Sequence, residues 1–284
     1  MSKIILPMLT IIRNFAVAKQ VEMKSIKGYN ALVTGGTSGM GWEYCRQLAA
    51  MGCNVLMVSI QRELLSTLPQ TLAAEYGVEA WGLYADLSQE SAADEVWNHC
   101  RERHLDIDIL VNNAGMFFFH EIDAATHDKA LAMLRLHVCT PTRLMMLFGE
   151  AMKERRRGYI VNMSSMTAQL PTPGTTMYSA TKAYLKSYSK SLYFEMAPYG
   201  VGVTTVLPAA VATPLYQLKP RLLKLGVAVG LIRTPQWLVR RALRGMLRGR
   251  HVVKPGLTNY LLPLLIKLLP NRLELRIWSK FNVK

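Results

Sequence analysis

The stretch "NALVTGGTSGMGWEYCRQLAA", residues 30–50, joins a short β-rich run to a helical run through a glycine-rich turn. Gly35, Gly39 and Gly41 stand in the spacing G-x-x-x-G-x-G. Between a strand and a helix, such a turn lets the backbone approach a pyrophosphate closely, and the helix N-terminus adds N–H groups and positive potential. A tight turn with a purely structural purpose is the alternative. The position between the first strand and the first helix favours phosphate binding.

Further β-rich runs follow this stretch, each short and bounded by Gly, Asn or Asp. They cover residues 54–59, 78–84, 108–112, 158–164 and 201–207. The spacers between them are longer and have a helical pattern, as in residues 42–50 and 130–153. Alternating strands and helices predict βαβ units, so we expect an α/β fold with a doubly wound parallel sheet that helices cover on both faces.

The net charge of +15 is concentrated in the last quarter of the 284-residue chain. Residues 215–284 hold 15 Lys and Arg and one acidic residue, Glu274, so the first 214 residues are nearly neutral. Basic residues interleaved with Leu, Ile and Trp suit an anionic membrane surface or a partner groove better than DNA. We therefore expect no nucleic-acid partner, and a peripheral membrane contact through a basic amphipathic tail at residues 257–284. Packing of this tail on its own domain is the alternative.

The N-terminal extension, residues 1–27, is apolar and basic, and its start is similar to a secretory signal peptide. Its apolar run, residues 4–12, is too short to span a bilayer and contains Pro7, and Arg13 lies where a cleavage region is normally uncharged. We expect the extension to be retained, with cleavage as the alternative. The four cysteines show neither a disulfide framework nor metal-ligand spacing, which predicts a reducing, cytoplasmic location, with membrane association open, and no metal site.

Polar motifs follow the later strands. "YADLS" places Asp86 after the third strand, and "VNNAG", residues 111–115, follows the fourth. In doubly wound sheets, ligands bind outside the carboxyl ends of the strands. Asp86 could instead cap a helix, as could Ser88. In "YSATK", Tyr178 and Lys182 are four residues apart, which places them on one face of a helix.

Together these motifs resemble the short-chain dehydrogenase/reductase family, in its single-domain type with hydroxysteroid dehydrogenase-like and ketoreductase members. "TGGTSGMG" is similar to the family's cofactor loop, "ADL" to its adenine contact, "NNAG" to its structural corner and "YSATK" to its Tyr-x-x-x-Lys motif. Since Tyr-x-x-x-Lys alone is common, the order and spacing of the four motifs carry the resemblance. It implies a Rossmann-type sheet of about seven strands in one catalytic domain, residues 28–256, with a lid at residues 209–234.

The resemblance also implies catalytic roles. Tyr178 is expected to pass a proton to or from the substrate oxygen while a hydride moves to or from a nicotinamide. A free tyrosine titrates near 10, and the charge of Lys182 would favour the phenolate. Ser165, 13 residues before the tyrosine, would hydrogen-bond the substrate oxygen; its neighbour Ser164 is the less favoured candidate.

The implied cofactor is NADP or NAD. An acidic residue at the end of the second strand would bind the ribose 2′-hydroxyl and favour NAD. Ser59 and Ile60 stand there with Arg62 close by, which favours NADP slightly. The cofactor-binding residues that the resemblance implies are Gly35, Thr37, Ser38, Gly39, Met40, Gly41, Asp86, Leu87, Asn113, Ala114, Gly115, Tyr178, Lys182, Pro208, Val211 and Thr213.

The sequence departs from the family pattern at two positions. His137 stands where the family usually has an Asn that holds a water linking the lysine to solvent. Histidine can also hold a water or relay protons, which would make His137 part of the catalytic set. It could equally be a core histidine satisfied by a backbone carbonyl. In the loop "PAAVATP", Ala209 replaces the usual glycine, and we expect a changed loop angle with cofactor binding retained.

The segments expected to frame the substrate are largely apolar, at residues 116–119, 166–177 and 215–232. They predict a small hydrophobic substrate, namely a bulky ketone or secondary alcohol such as a steroid, a fatty acyl chain or a related lipid. Part of this apolar surface could instead be a subunit interface or a membrane contact. A homo-oligomer is expected, because the family commonly pairs its two long helices across subunits.

Two other functions compete with this one. A non-catalytic NAD(P) sensor or lipid-binding protein could keep the fold, but its usual sign, a missing Tyr or Lys, is not seen here. An NAD(P)-dependent epimerase or dehydratase would generally have another glycine spacing and a longer C-terminal substrate domain.

Overall fold

A computed structural model describes residues 25–121, 123–209, 211, 232–256, 258–268, 270, 272–273 and 276. The strands in this part of the chain are β1 (Asn30–Thr34), β2 (Asn54–Ser59), β3 (Ala80–Tyr84), β4 (Ile109–Asn112), β5 (Gly158–Met163), β6 (Val201–Val206) and β7 (Val252–Val253). The α-helices are α1 (Gly39–Ala50), α2 (Arg62–Leu65), α3 (Leu68–Tyr76), α4 (Ala92–Glu102), α5 (His127–Leu134), α6 (Thr140–Glu154), α7 (Thr176–Met196), α8 (Pro235–Leu247) and α9 (Thr258–Lys267).

The seven strands form one parallel sheet in the order β3-β2-β1-β4-β5-β6-β7. Leu32 of β1 lies between Leu56 of β2 and Leu110 of β4 in the ladder. The chain runs outward from β1 to β3 and then returns to β4 on the other side, so the direction of winding reverses between β1 and β4. A crevice opens at this switch point, outside the carboxyl ends of the strands. The predicted doubly wound parallel sheet of about seven strands is confirmed.

Both faces of the sheet are buried. Val33 belongs to a core that it shares with α1, α3 and α8, and its neighbour Leu32 belongs to the core of α4, α6 and α7. Successive strand residues therefore point into opposite layers, which explains why the strands read as nearly continuous apolar runs. Each fully buried leucine or valine side chain contributes roughly 1.5–3 kcal/mol to the free energy of unfolding.

The helix predicted at residues 130–153 is not one continuous α-helix. It consists of α5, a π-helical segment Arg135–Cys139, and α6. Pro141 in the first turn of α6 has no N–H to donate to the carbonyl of His137, so the α-helical ladder cannot continue through this point. The π turn carries the chain past the missing bond, and His137 lies inside it.

Smaller differences concern where elements begin and end. The helix predicted at residues 42–50 already begins at Gly39. Four strands are one or two residues shorter than predicted, because the parallel ladder begins and ends with the neighbouring strand: these are β3, β4, β5 and β6.

The N-terminal extension up to residue 24, lid residues 210 and 212–231, which include Thr213, and most of the tail after residue 268 lie outside the described residues. The division into extension, domain and tail stays a prediction. Within the described residues, no helix combines the length and apolar character needed to cross a membrane.

Candidate active site

The glycine-rich turn after β1 is shaped for close approach. Gly35 and Gly39 have φ of +66° and +52°, values that side chains with a Cβ rarely adopt. A Cβ on Gly41 would overlap the carbonyl group of Gly35. Ser38 caps α1 in an extended conformation, and its exposed hydroxyl makes no capping hydrogen bond. The N–H groups of the first turn of α1 and this hydroxyl thus form a cradle that suits a phosphate group.

The end of β4 is tied to the end of β1 through Thr34. The Thr34 hydroxyl accepts hydrogen bonds from the N–H groups of Asn113 and Ala114, both at 2.9 Å, and donates to the carbonyl of Val111 at 3.2 Å. The Asn113 side-chain nitrogen donates to the Thr34 carbonyl at 2.9 Å. Its Oδ1 is buried and has no partner among the described residues. Because a buried orphan acceptor costs about 1–3 kcal/mol, this oxygen fits a donor from a bound molecule.

Tyr178 and Lys182 lie in the first two turns of α7, and both are buried with 5% of their surface exposed. The Lys182 Nζ donates to the Met163 carbonyl at the end of β5 at 3.0 Å and lies 5.6 Å from the centroid of the Tyr178 ring. Burial lowers the pKa of Lys182 from 10.5 to about 8. The lysine is therefore still largely a cation at neutral pH, next to the tyrosine. The ring of Phe117 meets the tyrosine edge-on, with centroids 4.9 Å apart.

The two serines after β5 have different partners. Ser164 donates its hydroxyl hydrogen to the backbone carbonyl of Lys182 at 2.7 Å. Ser165 accepts a hydrogen bond from the Thr167 N–H at 3.2 Å as the N-cap of a short 3-10 turn. The hydroxyl hydrogen of Ser165 is therefore available for a substrate oxygen, whereas that of Ser164 is already used.

His137 is buried, with 1% of its surface exposed. Its Nε2 accepts a hydrogen bond from the Met116 N–H at 3.0 Å, so Nε2 carries no proton. The proton is then on Nδ1, which donates to the Thr181 hydroxyl at 3.1 Å, and that hydroxyl donates to the Tyr178 carbonyl at 2.8 Å. Burial, together with the charge of Lys182, holds the pKa of His137 well below its usual 6.5. The imidazole is therefore neutral. The alternative of a core histidine bonded to a backbone carbonyl is wrong in its partner, because the ring contacts a backbone amide and a hydroxyl.

Asp86 closes a turn after β3. One carboxylate oxygen accepts from the Ser88 N–H at 3.0 Å and the Ser88 hydroxyl at 2.7 Å, and the other accepts from the Gln89 side chain at 3.0 Å. These bonds, those of Ser88 first, lower the pKa of Asp86. The alternative that Asp86 or Ser88 caps the next helix is wrong, because the N-cap of α4 is Ser91. Leu87 is buried, and its carbonyl accepts from Thr140 at 2.8 Å.

The end of β2 carries hydroxyl and amide groups. The hydroxyls of Thr37 and Ser59 are 2.7 Å apart, and the Thr37 hydroxyl also donates to Gln61. Arg62 is exposed, and its guanidinium lies over the Tyr84 ring at 3.4 Å from the centroid. Because Thr37 donates to Gln61, Ser59 donates to Thr37, and both hydroxyl hydrogens are used. What this corner offers a ligand is the nearby cation of Arg62.

Much of the predicted set converges on one cleft outside the carboxyl edge of the sheet. Of the predicted residues, this cleft is lined by Gly35, Ser38, Gly39, Met40, Asn113, Ala114, Gly115, Tyr178, Lys182, Pro208 and Val211. Ser164, the less favoured serine, also lines it, whereas these described residues of the predicted set do not: Thr37, Gly41, Asp86, Leu87, His137 and Ser165. Sequence reasoning missed the roles of Thr34 and Thr181, although a polar residue ending an apolar strand is a usable signal for Thr34.

A second cavity of about 240 Å³ meets the cleft at Tyr178. Phe118, Leu131, Leu134 and Met177 give it an apolar wall, and its rim carries polar groups: His120, Glu121, Asp123 and His127. Among the described residues, no three His, Cys, Asp or Glu side chains are grouped as they would be around a metal ion.

Comparisons with known proteins agree with this geometry. The family described as short chain dehydrogenase matches residues 29–221. Hydroxysteroid dehydrogenase-like protein 1 of Gallus gallus is 33% identical over 210 residues, which cover 72% of this chain and 63% of the relative. The very-long-chain 3-oxoacyl-CoA reductase of Macaca fascicularis is 30% identical over 279 residues, 96% of this chain and 86% of the relative. The inactive hydroxysteroid dehydrogenase-like protein 1 of Homo sapiens is 33% identical over 196 residues, which cover 67% and 58%.

Solved structures give the same result. A short-chain dehydrogenase from Sphingobium yanoikuyae in complex with NADPH has a TM-score of 0.73 at 28% identity, over 89% of this chain and 96% of the other. The bulky-bulky ketone specific alcohol dehydrogenase from Comamonas testosteroni has a TM-score of 0.71 at 30% identity, over 89% and 95%. The matched motifs, the parallel sheet and the cleft agree on one assignment. The chain belongs to the short-chain dehydrogenase/reductase family of NAD(P)-dependent oxidoreductases.

Proposed function

We propose that this protein interconverts a bulky hydrophobic ketone and its secondary alcohol with NADP(H), and that its substrate is a fatty acyl chain, a steroid or a related lipid. The observation that carries the proposal is the buried Tyr178–Lys182 pair. It lies where the phosphate cradle and the apolar-walled cavity meet.

In this proposal, Tyr178 exchanges a proton with the substrate oxygen, and the charge of Lys182 assists this exchange. The lysine charge favours the phenolate, so the phenol gives up and regains its proton more easily than a free tyrosine with a pKa near 10. Ser165 donates its hydroxyl hydrogen to the substrate oxygen and holds it towards the tyrosine. The nicotinamide, when bound, supplies or accepts the hydride.

The residues present fit a dinucleotide. The cradle at Ser38 and Gly41 would hold the pyrophosphate. The buried Asn113 Oδ1 would accept a hydrogen bond from the cofactor, and Lys182 would bind the nicotinamide ribose. No carboxylate ends β2 to repel a 2′-phosphate, and the exposed guanidinium of Arg62 follows this strand. This corner supports the preference for NADP.

The cofactor site is tested with Gly41→Val, which places a side chain against the Gly35 carbonyl. We expect NADPH binding, followed by intrinsic fluorescence, to weaken at least about a hundredfold, because several backbone hydrogen bonds to phosphate are lost together. Gly77→Asn is the matched control, since a Cβ there meets no atom within 4 Å and asparagine tolerates the left-handed conformation. Equal binding by the Gly41 variant would contradict the site.

The reaction is tested by following the oxidation of NADPH and of NADH with long-chain 3-oxoacyl thioesters, steroid ketones and small ketones. We expect turnover with the bulky apolar ketones and NADPH, and none with Tyr178→Phe. Equal rates for Tyr178→Phe would overturn the mechanism, and turnover of small ketones alone would overturn the substrate class.

A second candidate is a non-catalytic NAD(P)-binding protein. The observation that favours it is the similarity to a human relative named as inactive. The departures at His137 and Ala209 add to it. Tight NADPH binding without turnover of any ketone or alcohol would support this candidate.

We also infer that the protein pairs α6 and α7 in a homo-oligomer. These helices expose large apolar side chains, with 55% of Met146 and 49% of Phe194 accessible. Light scattering after size exclusion should give a multiple of 31.9 kDa, and Met146→Glu should shift it towards a single chain. A single-chain mass for the unmodified protein would contradict this inference.

A further inference from the structure

A cleft of about 490 Å³ lies between α8, β7 and the start of α9. It shares no lining residue with the cleft of the candidate active site, although its Arg233 pairs with Val211 in an isolated β-bridge. Six cationic side chains line it: Arg233, Arg241, Arg244, Arg248, Arg250 and Lys254. We call these six residues the basic cleft. Such a density of one sign of charge creates a strong local field for anions.

The fold places these cations together. Arg241 and Arg244 of α8 and Arg248 at its C-cap follow the spacing i, i+3 and i+7, and all three are exposed. The opposite face of α8 is buried against the sheet. Gly245 touches Val253 of β7 so closely that a Cβ would clash, and this brings α8 down onto the strand that precedes Lys254. The cations from the helix and from the strand thus share one cleft.

In the described part of the chain, no carboxylate pairs with the cations of the basic cleft. Residues 232–268 contain no Asp or Glu, and within the described residues none of the six cations makes an ion pair. The contrast with other arginines is plain, since Arg143 and Arg157 each contact a carboxylate at 2.8 Å. Lys254 donates to Gln169 at 2.8 Å, which leaves its charge uncompensated. Six uncompensated cations in one cleft repel one another, so an anion bound there would relieve the repulsion.

An exposed apolar helix adjoins this cleft. Tyr260 of α9 lines the cleft, and the leucines that follow it are open to solvent, with 57% of Leu264, 60% of Leu265 and 72% of Leu268 exposed. Trp237 stands between Arg233 and Arg241, whose guanidinium carbons lie 4.8 and 5.1 Å from its ring centroid. Tryptophan and tyrosine beside cations and exposed leucines are typical of a membrane interface.

We propose that the basic cleft and the exposed leucines of α9 and its C-terminal end form a docking surface for an anionic phospholipid membrane. The arginines bind lipid headgroups, and Leu264, Leu265 and Leu268 enter the boundary between headgroups and acyl chains. A second copy of this chain is disfavoured as the occupant, because a symmetric contact would set arginines against arginines. A nucleic acid would leave the leucines in water. The proposal does not depend on the reaction that the protein catalyses.

The test is co-sedimentation of the full-length protein with vesicles of phosphatidylcholine alone and of phosphatidylcholine mixed with phosphatidylserine. We expect binding to the mixed vesicles, weakened by salt, and little binding to phosphatidylcholine alone. Replacing Arg241, Arg244 and Arg248 by Gln should weaken binding on the order of a hundredfold, from about 1 kcal/mol per cation near an anionic surface. Replacing the three leucines by Gln should weaken it at least about tenfold without removing the salt dependence.

The matched control replaces Lys27, Arg101 and Arg103 by Gln, which removes the same charge from exposed positions outside the cleft. It should bind vesicles like the unmodified protein. An equal loss in this control would show that net charge alone is responsible and would overturn the proposal. Three other outcomes would also overturn it. The first is equal binding of the unmodified protein to both kinds of vesicle, and the second is binding to neither. The third is a dimer that dissociates in the arginine variant while no form of the protein binds vesicles. NADPH binding is measured on every variant, because a loss of folding would remove both signals.

Discussion

Two helices of this protein carry cations in opposite environments. On α7, Lys182 is buried beside Tyr178 and donates to the Met163 carbonyl, and burial lowers its pKa to about 8. At α8, Arg241, Arg244 and the C-cap residue Arg248 are exposed, and none of them pairs with a carboxylate in the described part of the chain. The buried cation costs free energy of folding and acts on one neighbouring group, whereas the exposed cations cost little and act together as a field. In our proposals, the buried cation of α7 assists the reaction, and the exposed cations at α8 bind an anionic membrane.

The largest expected effect concerns turnover. Lys182→Met removes the charge beside Tyr178, and we expect kcat with the best ketone to fall by about 10²–10⁴, the usual contribution of a tuned acid–base group. Lys190→Met changes an exposed lysine of the same helix and should leave kcat unchanged. If both variants turned over at the unmodified rate, the buried lysine would have no catalytic role.

The same substitution should stabilise the fold. The pKa of Lys182 is about 8 in the folded protein and 10.5 in an unfolded chain, so the folded state disfavours the proton. Below pH 8 this costs about 3 kcal/mol, and the cost disappears as the pH rises from 8 to 10.5, where stability increases with pH. Urea unfolding should therefore show Lys182→Met more stable than the unmodified protein at pH 7, with a smaller difference near pH 10.

Lys190→Met again provides the control, because an exposed lysine has no burial cost to remove. A loss of stability in Lys182→Met at pH 7 would mean that the hydrogen bond to Met163 outweighs the cost of burial.

Arginines with and without partners should also differ. Arg157→Gln leaves the buried Asp108 carboxylate without its cation, and we expect a loss of roughly 1 kcal/mol in the free energy of unfolding, since half of the arginine is exposed and screened. Arg244→Gln relieves repulsion in the basic cleft and should not lower stability. Thermal unfolding of the two variants compares them directly, and equal losses would remove the distinction between paired and unpaired cations.

The smallest effect is expected at His137, a buried group without charge. His137→Asn keeps an acceptor for the Met116 N–H, so we expect kcat to change less than about tenfold and its pH dependence to stay the same. A shifted pH profile with unchanged KM would instead indicate that the imidazole relays protons.

Much of the fold follows from local patterns in the sequence. Short apolar runs and glycine-rich turns fixed the strands and the phosphate cradle, because these features depend on neighbouring residues. The break in the helix at residues 135–139 was not predicted, although Pro141 marked it, since the periodicity of apolar residues continues through the π turn. The partners of His137 could not be predicted either. They come from the loop after β4 and from α7, which are distant in the sequence and meet only in the folded protein.

The hydroxyl of Thr34 links the ends of β1 and β4 through three hydrogen bonds. A hydroxyl has one hydrogen and two lone pairs, and all three are used: Val111 takes the hydrogen, and the amides of Asn113 and Ala114 take the lone pairs. Its hydrogen-bonding capacity is fully used, so this hydroxyl has no site left for a water molecule. A serine at this position would keep the three hydrogen bonds, whereas a valine would keep only the shape of the side chain. With the side-chain amide of Asn113, which donates to the Thr34 carbonyl, this hydroxyl therefore holds the ends of β1 and β4 together at the crevice.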